Sequence, residues 1–433
     1  MEYIPILSKF TKVTPDICLT YHSFAFGSIN PQTFHVEPTS SKADALMKRI
    51  SSMKLLQPSV EIWIAIGGWT FSDADQPTAR TFSELAASED NQDAFAESLI
   101  SMMSTYGFDG VDIDWEYPGA EDRNGKPEDF KNFTNWMKRL KAKLGKKGLS
   151  VTLPSSYWYL QHFDINGLQS YVDWFNLMSY DLHGSWDASN KWTGPFVNAH
   201  TNLTEIQDSL DLLWRNNIDS DKVVFGMAFY GRSFTLTSPS CSTPGCTFAS
   251  GGNPGQCSGT SGVLLNTEIE RIIADNQLTP KLYAKEAVKT ITWGNQWVSY
   301  DDQSTFTLKG NFAKRQCIKS VMVWALSQDT LNGTYAKALL KGLGKAVIDE
   351  PAIEAQPVET NPPELIKACR WTNCGQNCPA GFKNVMRDGT KETMVDGTGC
   401  AGSSPHQWCC PSNTPLPTCT WLVSFMQIIC LCG

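Results

Sequence analysis

Phe108-Asp109-Gly110-Val111-Asp112-Ile113-Asp114-Trp115-Glu116-Tyr117-Pro118 alternates apolar and acidic side chains from Val111 to Glu116. Alternation with a period of two is the signature of a strand, because successive side chains point to opposite faces. Val111, Ile113 and Trp115 then share one face, and Asp112, Asp114 and Glu116 share the other. Three carboxyls spaced about 7 Å apart along one strand face repel when all are ionised. Sharing protons relieves the repulsion and separates their pKa values. A half-buried edge strand with a solvated acidic face is the simplest alternative. Against it, no basic residue balances the acids, and Asp is disfavoured in strands. A locally unfavourable stretch of this kind is expected at a functional site. Pro118 cannot extend a sheet ladder, so Glu116 is expected near the carboxyl end of its strand.

The same rhythm extends outward in both directions. Thr20–Phe26, Val60–Ile66, Leu149–Pro154, Val172–Tyr180, Lys222–Tyr230 and Ser320–Leu326 read as further strands, which makes seven. Val60–Ile66 is almost continuously apolar and runs into Gly67-Gly68-Trp69, as a buried parallel strand does. Ser40–Leu56, Asn91–Tyr106, Glu128–Leu144 and Ile206–Trp214 carry helical spacing between the strands. Short strands alternating with amphipathic helices predict a parallel α/β sheet. A doubly wound sheet fits that pattern. Candidate site residues follow many different strands, however, which favours a barrel with its chemistry at the carboxyl ends.

The 433 residues suffice for one large barrel plus a small appendage. A net charge of −8 argues against polyanionic partners such as nucleic acid. Fourteen cysteines are unevenly placed, with nine of them between Cys369 and Cys432. That density predicts a disulfide-stapled module from an oxidising compartment. Zinc competes poorly, since the tail holds a single histidine, His406. Asn132-Phe-Thr, Asn202-Leu-Thr and Asn332-Gly-Thr are glycosylation sequons and also suggest secretion, although Met1–Thr11 offers no leader-like apolar run.

Residues 231–293 break the strand–helix rhythm and include Cys241, Cys246 and Cys257. A structureless loop of that length is unusual, so an inserted small domain on the active-site side is expected. The expected organisation is a catalytic barrel at 1–343, a linker at 344–366, a Cys-rich module at 367–420 and an atypical apolar tail at 421–433. The tail is too short to span a membrane, and no membrane partner is expected. No His, Cys or Asp cluster has metal-ligand spacing, so neither a metal nor a cofactor is expected.

The acidic strand reads DxxDxDxE, and it resembles the signature of glycoside hydrolase family 18, the chitinases. Similarity over roughly residues 18–340 looks closest to fungal chitinases of the killer-toxin-subunit type. The resemblance implies a (β/α)8 barrel, with an α+β insertion near the seventh strand that walls a deep groove. Aligned to that pattern, the Phe24–Phe26 strand resembles the second strand. The first is then missing, and the amino terminus is expected to be incomplete.

The resemblance also implies an activity: endo-hydrolysis of β-1,4 bonds between N-acetylglucosamine units of chitin, by a secreted monomer. Glu116 would be the acid and then the base. Asp114 would stabilise an oxazolinium ion formed by the substrate's own acetamido group. Asp112 would take up the proton or hydrogen bond that Asp114 exchanges with Glu116. Tyr180 would donate to the acetamido oxygen. Tyr117, Met178, Asp181, Tyr230 and Arg232 would contact substrate, with Trp324 as a floor and Gly67, Gly68 and Trp69 on the non-reducing side. Asp109 reads as a buried structural acid. Trp186 and Trp192 are further sugar platforms or plain loop aromatics. His183 reads as a structural neighbour of Asp181. A chitin-binding lectin on the same barrel and an endo-β-N-acetylglucosaminidase acting on N-glycans are the competing functions.

Overall fold

The computed structural model describes residues 21–56, 58–330, 332–345, 370–372, 376–384, 408–412 and 426–431, which fall in two compact units. The larger is built on a closed ring of strands. In chain order these are β1 (Tyr21–Ile29), β3 (Glu61–Gly67), β4 (Gly110–Asp114), β5 (Gly148–Pro154), β6 (Trp174–Met178), β7 (Val223–Ala228), β14 (Ser320–Trp324) and β18 (Met426–Leu431). Seven of them run parallel, from β1 through β3, β4, β5, β6 and β7 to β14. A short strand, β2 (Val36–Pro38), pairs antiparallel with the end of β1.

The eighth stave of the ring is β18, from the apolar tail. It pairs antiparallel with β14 through Ser320–Val323 and with β1 through Tyr21–Phe24. An antiparallel stave satisfies the backbone groups of both edges as well as a parallel one, and it needs no helical crossover to reach its place. Residues 1–20 lie outside the described residues.

Register stacks the inward side chains in layers, as a packed barrel core requires. The lowest holds Tyr21, Trp63 and Trp174, with Trp63 and Trp174 rings 4.3 Å apart. Two large indoles fit there because Gly110 and Gly148 face them. A Cβ on either glycine would stand 2.3 Å and 2.2 Å from the Trp63 ring. The next layer carries Asp112, Ser150, Asn176 and Met322, and the uppermost carries Asp114, Thr152 and Trp324. Apolar partners Val111 and Ile113 point outward and are fully buried beneath a jacket of helices, including Glu89–Tyr106 and Asp129–Leu144. Strand β4 ends at Asp114, earlier than Pro118 requires, so Trp115, Glu116 and Tyr117 belong to the loop at its carboxyl end.

The chain leaves the mouth directly after β7. Strands β8 (Tyr230–Leu236), β9 (Phe248–Gly251), β10 (Val263–Leu265), β11 (Lys281–Tyr283), β12 (Val288–Trp293) and β13 (Gln296–Tyr300) form a second, antiparallel sheet. Helix Asn266–Asp275 accompanies it, and Phe234, Phe248 and Trp297 are buried in its core. A disulfide there joins Cys241 to Cys246, five positions apart in the sequence. The second unit carries β15 (Arg370–Trp371), β16 (Phe382–Asn384) and β17 (Trp408–Pro411) in one small sheet, stapled by Cys378–Cys409.

Candidate active site

The acidic row rises through the barrel axis and ends at the mouth. Asp112, Asp114 and Glu116 are all buried. Asp112 is fully engaged: Ser150 and Asn176 donate to Oδ1 at 2.6 and 2.9 Å, and Thr152 donates to Oδ2 at 2.8 Å. Burial pushes its carboxyl above the ordinary range, and these three donors oppose the rise. Asp114 is held still higher, by burial and then by the charges of Glu116 and Asp112. Its Oδ1 is buried and accepts no hydrogen bond among the described residues. Glu116 is pushed up to about 7 by burial, against a Tyr117 hydrogen bond and the Arg123 charge. Burial and mutual repulsion thus shift all three acids toward their protonated forms, as a water-poor site with adjacent carboxyls requires.

Arg123 was not foreseen from the sequence. Its Nε donates to the Glu116 carbonyl at 3.1 Å and its Nη1 to Asp73 at 2.8 Å, while Nη2 donates to the Trp69 carbonyl. The guanidinium lies 3.7 Å from the centre of the Trp69 ring. It thus fixes an indole that is 49% exposed at the mouth. Gly67 is a geometric necessity beneath it. Its φ is +114°, and a Cβ would meet the Asp114 carbonyl oxygen at 2.2 Å. Gly68 donates its N–H to that same oxygen at 2.9 Å.

A second cluster gathers over the neighbouring staves. Asp181 sits in the left-handed region at φ 57°, which Asp tolerates better than most residues. Arg232 grips its carboxylate with two 2.7 Å hydrogen bonds, and the Tyr230 hydroxyl donates at 2.8 Å. Tyr230 and Arg232 share a face of β8 by strand alternation. Burial would raise the Asp181 carboxyl, but Arg232 and His200 overcome it and hold it well below the usual range. His200, fully buried with Nδ1 3.4 Å from Asp181, is the neighbour expected at His183. His183 instead bridges Asp187 at 2.8 Å and Glu205 at 2.9 Å, which pins the turn carrying Trp186. Arg232 also lies 4.7 Å from the Trp186 ring.

Tyr180 is buried, with its ring edge-on to Tyr230 at 6.2 Å. Burial and the nearby acids keep its hydroxyl protonated, so it can only donate to an approaching oxygen or accept from a donor. Trp324 is half-buried at the end of β14, with its ring 5.5 Å from that of Phe26, and like Met178 it packs against the cluster that holds Tyr180, Tyr230 and Met322. Tyr117 stacks on Tyr159 at 4.2 Å. The structure thus brings Asp112, Asp114, Glu116, Tyr117, Trp69, Tyr180, Asp181, Met178, Tyr230, Arg232 and Trp324 to one end of the barrel. Asp109 is excluded from that group. It precedes β4 at the opposite end, is half-buried rather than buried, and accepts from the Ile62 N–H at 2.8 Å. Trp192 is 84% exposed beside Lys191, remote from these contacts.

A row of buried carboxyls at the carboxyl end of a closed barrel of seven parallel staves and one antiparallel stave narrows the family sharply. Residues 9–329 match the model for glycosyl hydrolases family 18. The chain belongs to that family. Among curated relatives of this family 18 chain, the killer toxin subunits alpha/beta of Kluyveromyces lactis are 37% identical over 252 residues, 57% of this chain and 21% of that protein. Chitotriosidase-1 of Mus musculus is 28% identical and covers 94% of this chain and 90% of its own length. The chain spans a third or less of the length of several fungal relatives. The Ostrinia furnacalis Group II chitinase catalytic domain 2 shares the fold, with a TM-score of 0.68 and 22% identity over 78% of this chain and 92% of that one. No group of three or more His, Cys, Asp or Glu among the described residues could hold a metal ion.

Proposed function

We propose that this chain hydrolyses internal β-1,4 bonds between N-acetylglucosamine units of chitin, with retention, through the substrate's own acetamido group. One observation carries the reading. Glu116 retains its proton near neutrality two residues from Asp114, whose buried Oδ1 has no hydrogen-bond partner among the described residues. A glycosidic oxygen needs a proton to leave, and a protonated Glu116 supplies it. An acetamido N–H is the complement of Asp114 Oδ1. With that N–H held, the acetamido oxygen attacks the anomeric carbon as the leaving oxygen takes the Glu116 proton. The glycosidic bond breaks and an oxazolinium ion forms, its cation balanced by an Asp114 carboxylate whose own proton has passed to Asp112.

Water then attacks the anomeric carbon from the face the leaving group vacated. Glu116, now a carboxylate, takes its proton, and the acetamido oxygen is released. Two displacements restore the original configuration. Tyr180 donates to the acetamido oxygen, and Trp324 offers its ring face beneath the sugar. Asp112 lends Asp114 charge and proton-exchange partners from below. Aromatic rings on several sides of the mouth, Trp69 and Trp186 among them, support binding of an internal chain segment. Solved relatives agree in ligand: the class V chitinase of Nicotiana tobaccum has been obtained with NAG4. Two disulfides and a relative described as a secreted chitinase support export from the cell.

The test pairs wild type with Glu116→Gln on insoluble chitin. The variant is expected to bind chitin as wild type does and to release oligosaccharide about 10²–10⁴-fold more slowly. Release at the wild-type rate would remove Glu116 from the chemistry. A wild type that binds chitin without cleaving it would replace the hydrolase with a lectin.

A further inference from the structure

The sequon Asn202-Leu203-Thr204 opens the helix Leu203–Trp214, and Asn202 is that helix's N-cap. The two ends of its side-chain amide do different work. Oδ1 accepts from the Thr204 N–H at 3.0 Å and from the Thr204 hydroxyl at 2.8 Å. A cap needs only that oxygen. Nδ2 donates no hydrogen bond among the described residues. The nitrogen that a sugar would occupy is therefore free while the oxygen is held, and a substituent on it leaves the cap intact.

A cavity of about 340 Å³ lies beside Asn202, within the size range of small-ligand pockets. Thr243 and Pro244 form one wall, inside the loop that the Cys241–Cys246 disulfide closes. Lys281 and Tyr283 of β11 form another, with the Lys281 ammonium 4.8 Å from the centre of the Tyr283 ring. The Glu286 carbonyl, in the turn after β11, accepts from the Leu203 N–H at 2.8 Å and so ties this wall to the sequon. None of the residues gathered at the barrel mouth lines the cavity. Its walls leave one group unsatisfied: the Tyr283 hydroxyl is buried and has no hydrogen-bond partner among the described residues. Burying a hydroxyl unpaired is costly, so such a group calls for a partner that the polypeptide does not supply. The hydroxyls and N-acetyl carbonyl of a sugar are partners of that kind.

We propose that Asn202 carries an N-linked glycan whose first N-acetylglucosamine lies in this cavity. The inference rests on the export reading above. The donor is a lipid pyrophosphate-linked oligosaccharide of the secretory pathway. A bond forms between Asn202 Nδ2 and C1 of the first sugar, and the bond from C1 to the pyrophosphate oxygen breaks. The lipid pyrophosphate leaves with the electron pair, and Nδ2 gives up one proton to the transferase. Once seated, the sugar accepts from the Tyr283 hydroxyl and joins β11 to the start of the helix.

The test expresses the full chain behind a cleavable leader in a secretory eukaryotic host. Peptide-N-glycosidase in 18O-labelled water converts a glycosylated Asn to labelled Asp, and peptide mass spectrometry then locates it. Asn202 is expected to be labelled, with release from the native chain about tenfold slower than from the denatured one because the linkage is covered. Tyr283→Phe, which removes only the hydroxyl, is expected to speed native release, and Tyr283→Ala to speed it further. Asn202→Asp keeps the capping oxygen, and it is expected to lose the mass of one glycan with activity on chitin unchanged. An unlabelled Asn202 in the denatured secreted chain would overturn the proposal. So would equal release from native and denatured chains, or native release that neither Tyr283 variant changes. Finding the chain of the source cell unmodified and retained inside it would instead overturn the export reading, and this proposal with it.

Discussion

Glu116 carries its proton to about pH 7 because the cost of burying a carboxylate exceeds what Tyr117 and Arg123 return to it. A group with a raised pKa is an effective acid below that value and loses the role above it. The alkaline limb of the kcat/KM profile is therefore expected to fall near pH 7, and the row of carboxyls makes it a property of the group rather than of one residue. A profile that stays flat to pH 9 would contradict this. At this scale the sequence was most informative. Period-two spacing placed Asp112, Asp114 and Glu116 on one face, and the structure keeps Asp112 and Asp114 inward. The partners of Asp112, Ser150, Thr152 and Asn176, were missed, although polar residues at alternating positions of otherwise apolar strands were a signal that could have found them. His200 and Arg123 were not, because nothing local distinguishes a histidine or arginine that reaches a site from a distant loop.

Among the elements, the barrel floor depends on two glycines being small. Gly110 and Gly148 make room for Trp63, and through it for Trp174 and Tyr21. Gly148→Ala would place a methyl group inside the indole's volume, where the surrounding strands leave little freedom to move. A loss of about 1–3 kcal/mol is expected from such overpacking, read as a lower denaturant midpoint with an unchanged slope. Wild-type stability in that variant would show that the floor is loosely packed. Seven of the eight staves were visible as short apolar runs between helices. The eighth was hidden because β18 is antiparallel, follows no helix of the βα series, and comes from a stretch whose composition matched no expected element. His183 was misplaced for a related reason: proximity in sequence to Asp181 says little about partners when the chain turns sharply between them.

At the scale of the whole molecule, closure joins the first and last parallel staves through the apolar tail. Removing residues 421–433 would expose the unpaired edges of β1 and β14, and open edges recruit other chains. The shortened chain is expected to aggregate and to lose activity when expressed beside the full chain in a secretory host. Equal yield and equal activity would show that the ring does not need this stave. Closure matters because the mechanism depends on an acid row and a Trp324 floor held across one mouth. Its outcome can be read directly, by following product anomers with proton NMR during the first turnovers of an N-acetylated hexamer. The account predicts that the β-anomer appears first, with the α-anomer growing in only by slow mutarotation. An α-anomer appearing first would mean inversion, and it would contradict substrate-assisted catalysis by Glu116 and Asp114.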